Sequence, residues 1–319
     1  MRASFLIASL AASCHALASA SHITADSIFT ASPNALTAIA NSTYKHFDCG
    51  VSARTHASEH FNATIAALHR HHADAPRTPT QLAQRAVVAI KVPTYFHIVT
   101  KASNAGSITP AMASAQLAAM NARYNPYGIS FKLLGTTTTV NDVWAVGATP
   151  QDDAAMKAAL RKGTYGALNI YFQTDLAGGV LGTCTLPSNI GPGNPPQSVY
   201  VSDGCNVQAN TMPGGNVYAF NTGMTAVHET GHWLGLLHTF EGYSCSGDGD
   251  FIADTRAESV STDGCPTSPA KNSCPGISVA GTDPIHNYMD YSDDACYQGF
   301  TPLQVKRMQN LWGQYRLGR

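Results

Sequence analysis

The sequence predicts an α/β protein of the α+β type, with a mixed, twisted sheet in an N-terminal subdomain and a loop-rich C-terminal subdomain that ends in a helix. Two observations predict this fold class. Strand-like and helix-like segments alternate between residues 86 and 238, which is typical of a partly parallel sheet covered by helices. From residue 239 onward the chain is rich in Gly, Asp, Ser and Pro and carries four cysteines. Disulfides rather than a large core are therefore expected to stabilise that part.

The composition is that of a weakly charged globular chain. Of the 319 residues, 12% are charged, and the formal net charge is −1. This balance offers no basic surface for nucleic acid or for an anionic membrane. No apolar run approaches the roughly 20 residues of a membrane-spanning helix. We therefore expect neither kind of partner.

Residues 1–20 have the features of a secretory signal peptide. Arg2 precedes an apolar run at positions 5–12, and small residues follow at positions 16, 18 and 20. Cys14 allows a lipoprotein anchor as an alternative, but Ala11, three residues before it, is not a large aliphatic residue. Removal of the leader leaves seven cysteines. In an exported protein one of them should then lack a partner within the chain.

A polar segment extends from residue 21 to about Arg85 and is interpreted as a propeptide. Asn41 and Asn62 begin sequons and are predicted glycosylation sites in a secreted chain. A histidine patch at positions 69, 71 and 72 is predicted to be solvated, with metal binding as the alternative. Pro76 and Pro79 mark a linker, and Arg85 is the predicted cleavage point.

The secondary structure after the linker follows from local patterns. The β-branched run VVAIKVPTYFHIV, which starts at position 87, predicts a buried strand. Thr109 and Pro110 predict the N-cap and first residue of a helix. The remaining predictions are helices at Ala111–Tyr124, Asp152–Arg161 and Thr301–Tyr315, a helix from about Thr222, and strands at Ile129–Leu134, Leu168–Thr174 and Ser198–Asp203.

The stretch AVHETGHWLGLLH, residues 226–238, concentrates residues that bind and use a metal ion. His228 and His232 are four residues apart, so on a helix they share a face and can reach one ion. Glu229 lies beside that face, where a carboxylate can take a proton from a water at the metal. Gly235 can adopt left-handed dihedrals and turn the chain back. His238 can then be the third ligand, and three nitrogens with one open position suit catalytic zinc.

HETGHWLGLLHTF, with Trp233 directly after the second histidine, resembles the active-site stretch of metzincin metalloproteases. It resembles most the pappalysin family and its secreted, fungal-type extracellular members. The resemblance implies that residues 86–319 are the metalloprotease domain. It also implies that the segment from Gly178 to Leu186 contains an antiparallel edge strand. A substrate peptide can pair with that edge, although an ordinary solvent-facing edge is the alternative.

The motif HNYMDY, residues 286–291, adds to the resemblance. It implies that Met289 forms the Met-turn, an apolar floor beneath the zinc that does not coordinate the ion. Tyr291 matches the family position whose phenol lies near the zinc and can donate a hydrogen bond to the oxyanion. The alternative is that Tyr291 only packs against the turn.

The cysteines have different expected roles. Cys184 and Cys205 flank one region and are expected to pair. Four further cysteines allow three connectivities; the resemblance implies Cys245 with Cys274 and Cys265 with Cys296. Cys49 is followed by Gly50, and in the resembled family such a propeptide cysteine supplies a thiolate to the fourth position of the zinc. This implies a latent precursor, while a free or intermolecularly paired cysteine is the alternative.

Two acidic clusters also have predicted roles. Asp248, Asp250 and Asp254 lie among glycines, and the resemblance implies a structural calcium ion near them, with a solvated acidic turn as the alternative. The family commonly has Asp-Thr-Pro where this chain has Arg256 after Thr255, so the resemblance does not carry over the geometry of this loop. Asp293 and Asp294 follow the Met-turn, where a carboxylate could favour Arg or Lys just after the scissile bond.

These features predict a secreted zinc endopeptidase that is made as a zymogen and acts on extended peptides. Glu229 is the expected general base and Tyr291 the expected oxyanion donor. Two other functions remain open at the level of sequence: a secreted binding protein that keeps the fold as a scaffold, and a zinc amidohydrolase whose substrates are not proteins. The intact set of predicted catalytic residues favours the endopeptidase.

Overall fold

The computed structural model describes residues 47–51, 57–73, 89–191, 195–277 and 281–319. Asn41, Arg85, the linker prolines and the predicted signal peptide lie outside these residues. The helices are α1 Glu59–Ala73, α2 Pro110–Tyr124, α3 Asp142–Val146, α4 Pro150–Leu160, α5 Gln197–Ser202, α6 Met224–Trp233 and α7 Pro302–Leu311, and a π-helical turn, Trp312–Arg316, continues α7. The strands are β1 Ile90–Thr100, β2 Ile129–Val140, β3 Leu168–Gln173, β4 Gly182–Cys184 and β5 Cys205–Gln208.

The five strands form one mixed sheet in the order β2-β1-β3-β5-β4. The pairs β1–β2, β1–β3 and β3–β5 are parallel, and β4 is antiparallel to β5 at the edge. All six residues of β3, the central strand, are buried, as expected for a strand covered on both faces. The predicted fold class, including the antiparallel edge strand, is confirmed.

Helix α2 helps to position α6. Thr109 accepts a hydrogen bond from Met112 N as the N-cap, with Pro110 at the first helical position. On the buried face of α2, Gln116 donates to Gly223 O at 3.0 Å and Tyr124 donates to Val227 O at 2.8 Å. These two buried side chains thus donate hydrogen bonds to two backbone carbonyls, one at the start of α6 and one within the helix.

One predicted element is wrong. The Val- and Tyr-containing segment Ser198–Asp203 was expected as a strand, but residues 197–202 form helix α5, and the strand follows at Cys205–Gln208. β-propensity depends strongly on context. Here Lys157 donates to Ser202 O at 3.1 Å, at the C-terminal end of α5, and β5 takes the place beside β3.

Three disulfides join the pairs Cys184–Cys205, Cys245–Cys274 and Cys265–Cys296. The first links β4 to β5, and the other two lie in the loop-rich part after residue 238. The first pair is the one expected from its position in the chain, and the other two are those that the family resemblance implied. Cys49 is buried and is not in a disulfide.

Helix α1 lies in the segment interpreted as a propeptide and was not predicted. Phe61 and Ile65 on its inner face are fully buried in the main hydrophobic core. Its His60 hydrogen-bonds Tyr315 Oη at 2.9 Å, and the same hydroxyl donates to Thr64 at 3.1 Å. This helix therefore docks on the π-helical turn at the C-terminus. No helix among the described residues is both long and apolar enough to cross a membrane.

Candidate metal centre

Three histidine rings converge at the C-terminal half of α6. His228 Nδ1 donates to Tyr288 O at 2.7 Å, and His232 Nδ1 donates to Leu236 O at 2.8 Å, with the tautomers assigned from these acceptors. Each Nε2 atom therefore carries a lone pair. The His228 and His232 Nε2 atoms are 3.1 Å apart, and the His232 and His238 Nε2 atoms are also 3.1 Å apart. Lone pairs that face each other at this distance call for a shared cation.

The turn at Gly235 brings His238 to the other two histidines. Gly235 has φ +98°, in the region that favours glycine. Its N–H donates to His232 O at 2.8 Å, and Leu236 N donates to Gly231 O at 2.9 Å, so the chain reverses directly after α6. A Cβ at position 235 would also lie 2.2 Å from Leu311 Cδ1. Both the dihedral and the close packing favour glycine at this position.

The donor set fits zinc. Potential ligand atoms of Cys49, His228, His232 and His238 all lie within 4.8 Å of one another. Two nitrogens on one tetrahedral zinc are about 3.3 Å apart, close to the observed 3.1 Å. Burial lowers the pKa of His228 and of His238 well below the usual range, with neighbouring histidines adding to the effect. Both rings are therefore neutral, which is the form that binds a metal ion.

Glu229 lies beside this cluster in a fully buried position. Neither carboxylate oxygen has a hydrogen-bond partner of normal geometry among the described residues. Burial raises the pKa of Glu229 to about 8, and the adjacent Cys49 thiol offsets part of that effect. A buried carboxylate without a partner is costly, and such groups are more common at functional sites than in structural cores.

Met289 packs against α6, and Tyr291 packs against two of the histidines. Met289 is fully buried, and its Sδ would be 2.4 Å from a Cβ at Gly231. It therefore packs against α6 at Gly231. The Tyr291 ring centroid is 5.0 Å from that of His238 and 5.7 Å from that of His228.

The segment 47–51 crosses the centre. Cys49 forms a parallel β-bridge with Gly182 of β4, supported by hydrogen bonds from Leu181 N to Asp48 O at 2.8 Å and from Gly50 N to Gly182 O at 3.0 Å. Cys49 N donates to Tyr291 Oη at 3.1 Å, and that hydroxyl donates to Cys49 O at 3.0 Å. Burial and then the Glu229 carboxylate raise the pKa of the Cys49 thiol well above its usual value. A thiolate there consequently needs a cation beside it.

Two acidic residues that support α6 were not identified as such from the sequence. Asp294 accepts hydrogen bonds from the backbone N–H and the hydroxyl of Thr222, both at 2.8 Å, at the start of the helix. Asp203 is buried and accepts from Trp233 Nε1 at 3.2 Å at the end of the helix. Asp203 also pairs with Arg161 and with Arg316. Burial by itself would raise the pKa of Asp203, but the guanidinium groups of Arg316 and Arg161 outweigh this effect, so the pKa lies below its usual value.

The other predicted site residues are dispersed. Asp254 accepts from Thr301 Oγ1 at 2.6 Å and Leu303 N at 2.9 Å, and so caps α7. Asp250 accepts from Ile252 N and Thr255 Oγ1, and its second oxygen is buried without a partner among the described residues. Asp248 is exposed and lies 3.8 Å from His69 Nε2. Within the described part of the chain, the ligand groupings found do not include these aspartates, so the calcium site stays a prediction.

The remaining predicted positions give no further ligand. Asn62 lies on α1, and its side-chain oxygen is buried. The second oxygen of Asp294 has no partner among the described residues, and burial raises the pKa of this group to about 6. Glycosylation of Asn62 and a role for Asp293 or Asp294 in binding a basic side chain remain predictions.

Comparison with known proteins places this geometry in a family. Residues 152–312 match the profile of the M43 peptidase family, described as pregnancy-associated plasma protein-A. An extracellular metalloprotease of Colletotrichum graminicola is 49% identical over 233 residues, which cover 72% of this chain and 79% of that protein. An extracellular metalloprotease of Sordaria macrospora is 42% identical over 288 residues, 90% of this chain and 94% of that protein.

Solved structures give the same result. A promirolysin mutant from Tannerella forsythia matches with a TM-score of 0.62 and 26% identity, covering 84% of this chain and 95% of that chain. Mature mirolysin of the same organism, in complex with a cleaved peptide, matches with a TM-score of 0.58 and 27% identity, covering 70% of this chain and 92% of that chain. With a buried metal-ligand cluster and relatives this similar over most of its length, the chain belongs to the pappalysin family of metalloproteases.

Proposed function

We propose that this metalloprotease is a secreted zinc endopeptidase that is made as a latent precursor. The observation that carries the proposal is the convergence of three imidazole rings beside a fully buried carboxylate, under the edge strand of the sheet. His228, His232 and His238 are the proposed zinc ligands. The extracellular relatives and the sequence of residues 1–20 support secretion.

The chemistry divides among a few residues. Bound zinc supplies Lewis-acid catalysis, which polarises the scissile carbonyl and makes water a better nucleophile near neutral pH. Glu229 takes the proton from the attacking water and returns it to the leaving amine, as a general base and then a general acid. Tyr291 donates a hydrogen bond to the oxyanion that forms on the substrate. Met289 packs beneath the histidines and contributes no ligand.

Strand β4 is the proposed substrate-binding edge. Its inner side pairs with β5. On its outer side the segment 47–51 is already bound: Leu181 N donates to Asp48 O, and Gly50 N donates to Gly182 O. A substrate that replaces this segment takes over the same backbone groups, which holds it extended across the centre. Strand addition recognises the peptide backbone and therefore suits an endopeptidase.

The segment 47–51 is the proposed inhibitor of the same site. In this arrangement the Cys49 sulfur would be a further ligand of bound zinc, and the Cys49 backbone is hydrogen-bonded to the Tyr291 hydroxyl that the reaction needs. The segment thus blocks metal, oxyanion donor and substrate edge together. We place the signal peptide at 1–20, the propeptide at 21–85 and the protease domain at 86–319, with cleavage at Arg85.

Casein zymography of the activated protein, with and without a zinc chelator, tests the proposal. We expect clearing that the chelator abolishes and added zinc restores. A fully zinc-loaded protein that clears no casein and no gelatin would contradict a peptidase and favour a scaffold. Turnover of small amides without any protein cleavage would favour an amidohydrolase. N-terminal sequencing of the active form locates the cleavage point.

A further inference from the structure

A buried ion pair lies next to Thr239, the residue that follows the third histidine. The Glu258 side chain is fully enclosed, and its carboxylate pairs with the Lys271 ammonium. That ammonium also bonds Asp283 Oδ2 at 3.0 Å. Asp283 in turn donates its backbone N–H to Lys271 O at 2.9 Å, so these two residues hold each other at two points. The lysine is therefore fixed in one place on the protein.

The Lys271 ammonium fills the space among the oxygens around it. Besides Glu258 and Asp283, it donates to Thr262 Oγ1 at 3.0 Å and to Val260 O. An ammonium group has three N–H donors, so four oxygen contacts satisfy it fully. This cluster of carboxylates thus carries its own cation and requires no metal ion.

The charges in this cluster act on one another. Burial by itself would lower the pKa of Lys271, but the hydrogen bond and charge of Glu258 outweigh this effect, so the pKa lies above its usual value. Burial and then the Asp290 charge raise the pKa of Glu258 to about 7, and Lys271 offsets part of that rise. The lysine thus favours the ionised form of a carboxyl group whose burial disfavours it.

The first connection from the ion pair to the metal centre is Thr239, which is buried. Its hydroxyl donates to Glu258 Oε2 at 2.7 Å. Its backbone N–H donates to Met289 O at 3.2 Å. The peptide that follows His238 is therefore held by the ion pair through its side chain and by the turn at Met289 through its backbone.

The second connection reaches the turn that carries Tyr291. Thr262 donates its hydroxyl to Glu258 Oε1 at 3.1 Å and its backbone N–H to Asp290 Oδ1 at 3.0 Å. The same Asp290 oxygen accepts a hydrogen bond from Tyr291 N at 2.7 Å. One buried carboxylate, that of Glu258, therefore joins the segment of the third histidine to the segment of the tyrosine.

We infer that the Glu258–Lys271 ion pair positions His238, the third zinc ligand, and Tyr291, the oxyanion donor, relative to each other. This inference rests on the proposed endopeptidase function and adds two positioning residues to it. Neither residue touches the reacting atoms. Groups that orient metal ligands in this way contribute about ten- to hundredfold to metal affinity or activity. We expect KM to change little, because the proposed substrate edge, β4, is a separate element.

The first experiment uses Lys271→Met, which keeps much of the side chain and removes its charge. The kcat of the activated enzyme on a peptide substrate should fall about ten- to hundredfold, with KM nearly unchanged. Zinc affinity, measured by competition with a chelator, should also fall. The visible spectrum of the cobalt-substituted protein reports ligand geometry and should change. Lys101→Met is the matched control, because it removes a partly exposed ion pair with Asp175 and should leave every readout unchanged.

The readouts separate positioning from stability. A folded Lys271→Met enzyme that melts at a lower temperature, but keeps the kcat, zinc affinity and cobalt spectrum of the parent, overturns the inference and leaves the proposed function standing. A parent enzyme without chelator-sensitive cleavage contradicts the proposed function instead. Zinc affinity and the cobalt spectrum then still decide whether the ion pair positions the metal ligand.

Thr239→Val decides the matter if Lys271→Met does not fold. It removes the hydroxyl that connects Glu258 to the segment of His238 and leaves both members of the ion pair in place. We expect kcat to fall about tenfold and the cobalt spectrum to change. Thr94→Val is the matched control, since it removes a buried hydroxyl that donates to Val92 O within β1. If Thr239→Val matches this control in kcat and in the cobalt spectrum, the inference is overturned.

A double variant tests whether Glu258 and Lys271 act as a unit. Glu258→Gln and Lys271→Met are measured singly and together. Each single variant leaves one buried charge without its partner, whereas the double variant removes both charges of the pair. The double variant should therefore lose less kcat than the product of the two single losses. A loss equal to that product would show that the two residues act separately and would overturn the ion pair as the positioning device.

Discussion

Two stretches meet at the metal centre, and they are attached to the protein in different ways. All ten residues of α6 are buried, and the helix is held at its start by Asp294 and near its end by Asp203. The segment 47–51 is also mostly buried. Its backbone, however, is held by four hydrogen bonds, two with Leu181 and Gly182 at the sheet edge and two with the Tyr291 hydroxyl. Each bond of this kind contributes about 1 kcal/mol. Side chains of both stretches pack in the main core, but the backbone bonds that hold the segment 47–51 are bonds that a substrate peptide can also make.

In the proposed latent precursor, this difference explains how a site with all its catalytic residues in place can be inactive. Glu229 and two of the histidines lie on α6, whose two ends are held by Asp294 and Asp203 rather than by the segment 47–51. Removal of that segment frees the Tyr291 hydroxyl and the edge of β4 without rebuilding the core. Variants on the two sides of the interface should therefore have opposite effects on activity.

Glu229→Gln should have the largest effect. The amide keeps the shape of the side chain and removes the base, and general-base catalysis contributes about 10²–10⁴-fold; we expect a loss at the upper end. Zinc content by atomic emission should remain one per chain, because Glu229 is not a ligand. The exposed change Asp142→Asn serves as a control. A Glu229→Gln enzyme that keeps substantial activity would overturn the assignment.

Tyr291→Phe should have the next largest effect in the activated enzyme. Loss of one oxyanion donor costs about 10²–10³-fold in kcat, with little change in KM. Steady-state kinetics on a peptide substrate measures both. Tyr243→Phe is the matched control, since the Tyr243 side chain is 65% exposed. If both variants lose kcat equally, the hydroxyl of Tyr291 has no special role.

Cys49→Ser should act in the opposite direction. The precursor loses the sulfur ligand, and a contact worth about 2.7 kcal/mol changes an equilibrium about a hundredfold; we expect precursor activity to rise by that order. Peptide cleavage is measured on precursor shown by mass spectrometry to be uncut. A Cys49→Ser precursor that is no more active than the unchanged one would rule out a thiolate block.

The same contrast separates what the sequence could predict from what it could not. His228, Glu229, His232, Gly235 and His238 lie within eleven residues, so helix periodicity and one glycine are enough to bring them together. The sheet class follows from alternating patterns, and the Thr301 cap predicts the start of α7, where the structure has a capping box with Gln304. Local chemistry therefore predicts elements whose contacts are local.

Contacts between distant parts of the chain are not predictable in this way. Asp203 and Arg316 are 113 residues apart and bond at 2.9 Å, and neither lies in a motif. A Val-Tyr-Val run became helix α5 because β5 occupies the available place in the sheet. Phe61 and Ile65 are four residues apart, which is helical spacing, but the polar composition around them masked α1.

Phe61→Ala should have the smallest effect, and it tests whether the two attachments of the propeptide work together. Phe61 is fully buried on α1, and removing such a ring costs about 3–5 kcal/mol of packing. The covalent connection to the segment 47–51 keeps that segment close to the cleft, so precursor activity should rise only several-fold. Activity of the uncut precursor is the measurement, and Ala63→Ser, at an exposed position of α1, is the control.

The double variant Phe61→Ala with Cys49→Ser completes a cycle. If α1 acts by holding the thiolate in place, Phe61→Ala should add little once the thiol is gone, so the two effects should be less than additive on a logarithmic scale. Full additivity would mean that α1 and Cys49 restrain the enzyme separately. In that case α1 would contribute to latency through its own contacts with the C-terminal turn at Tyr315, independently of Cys49.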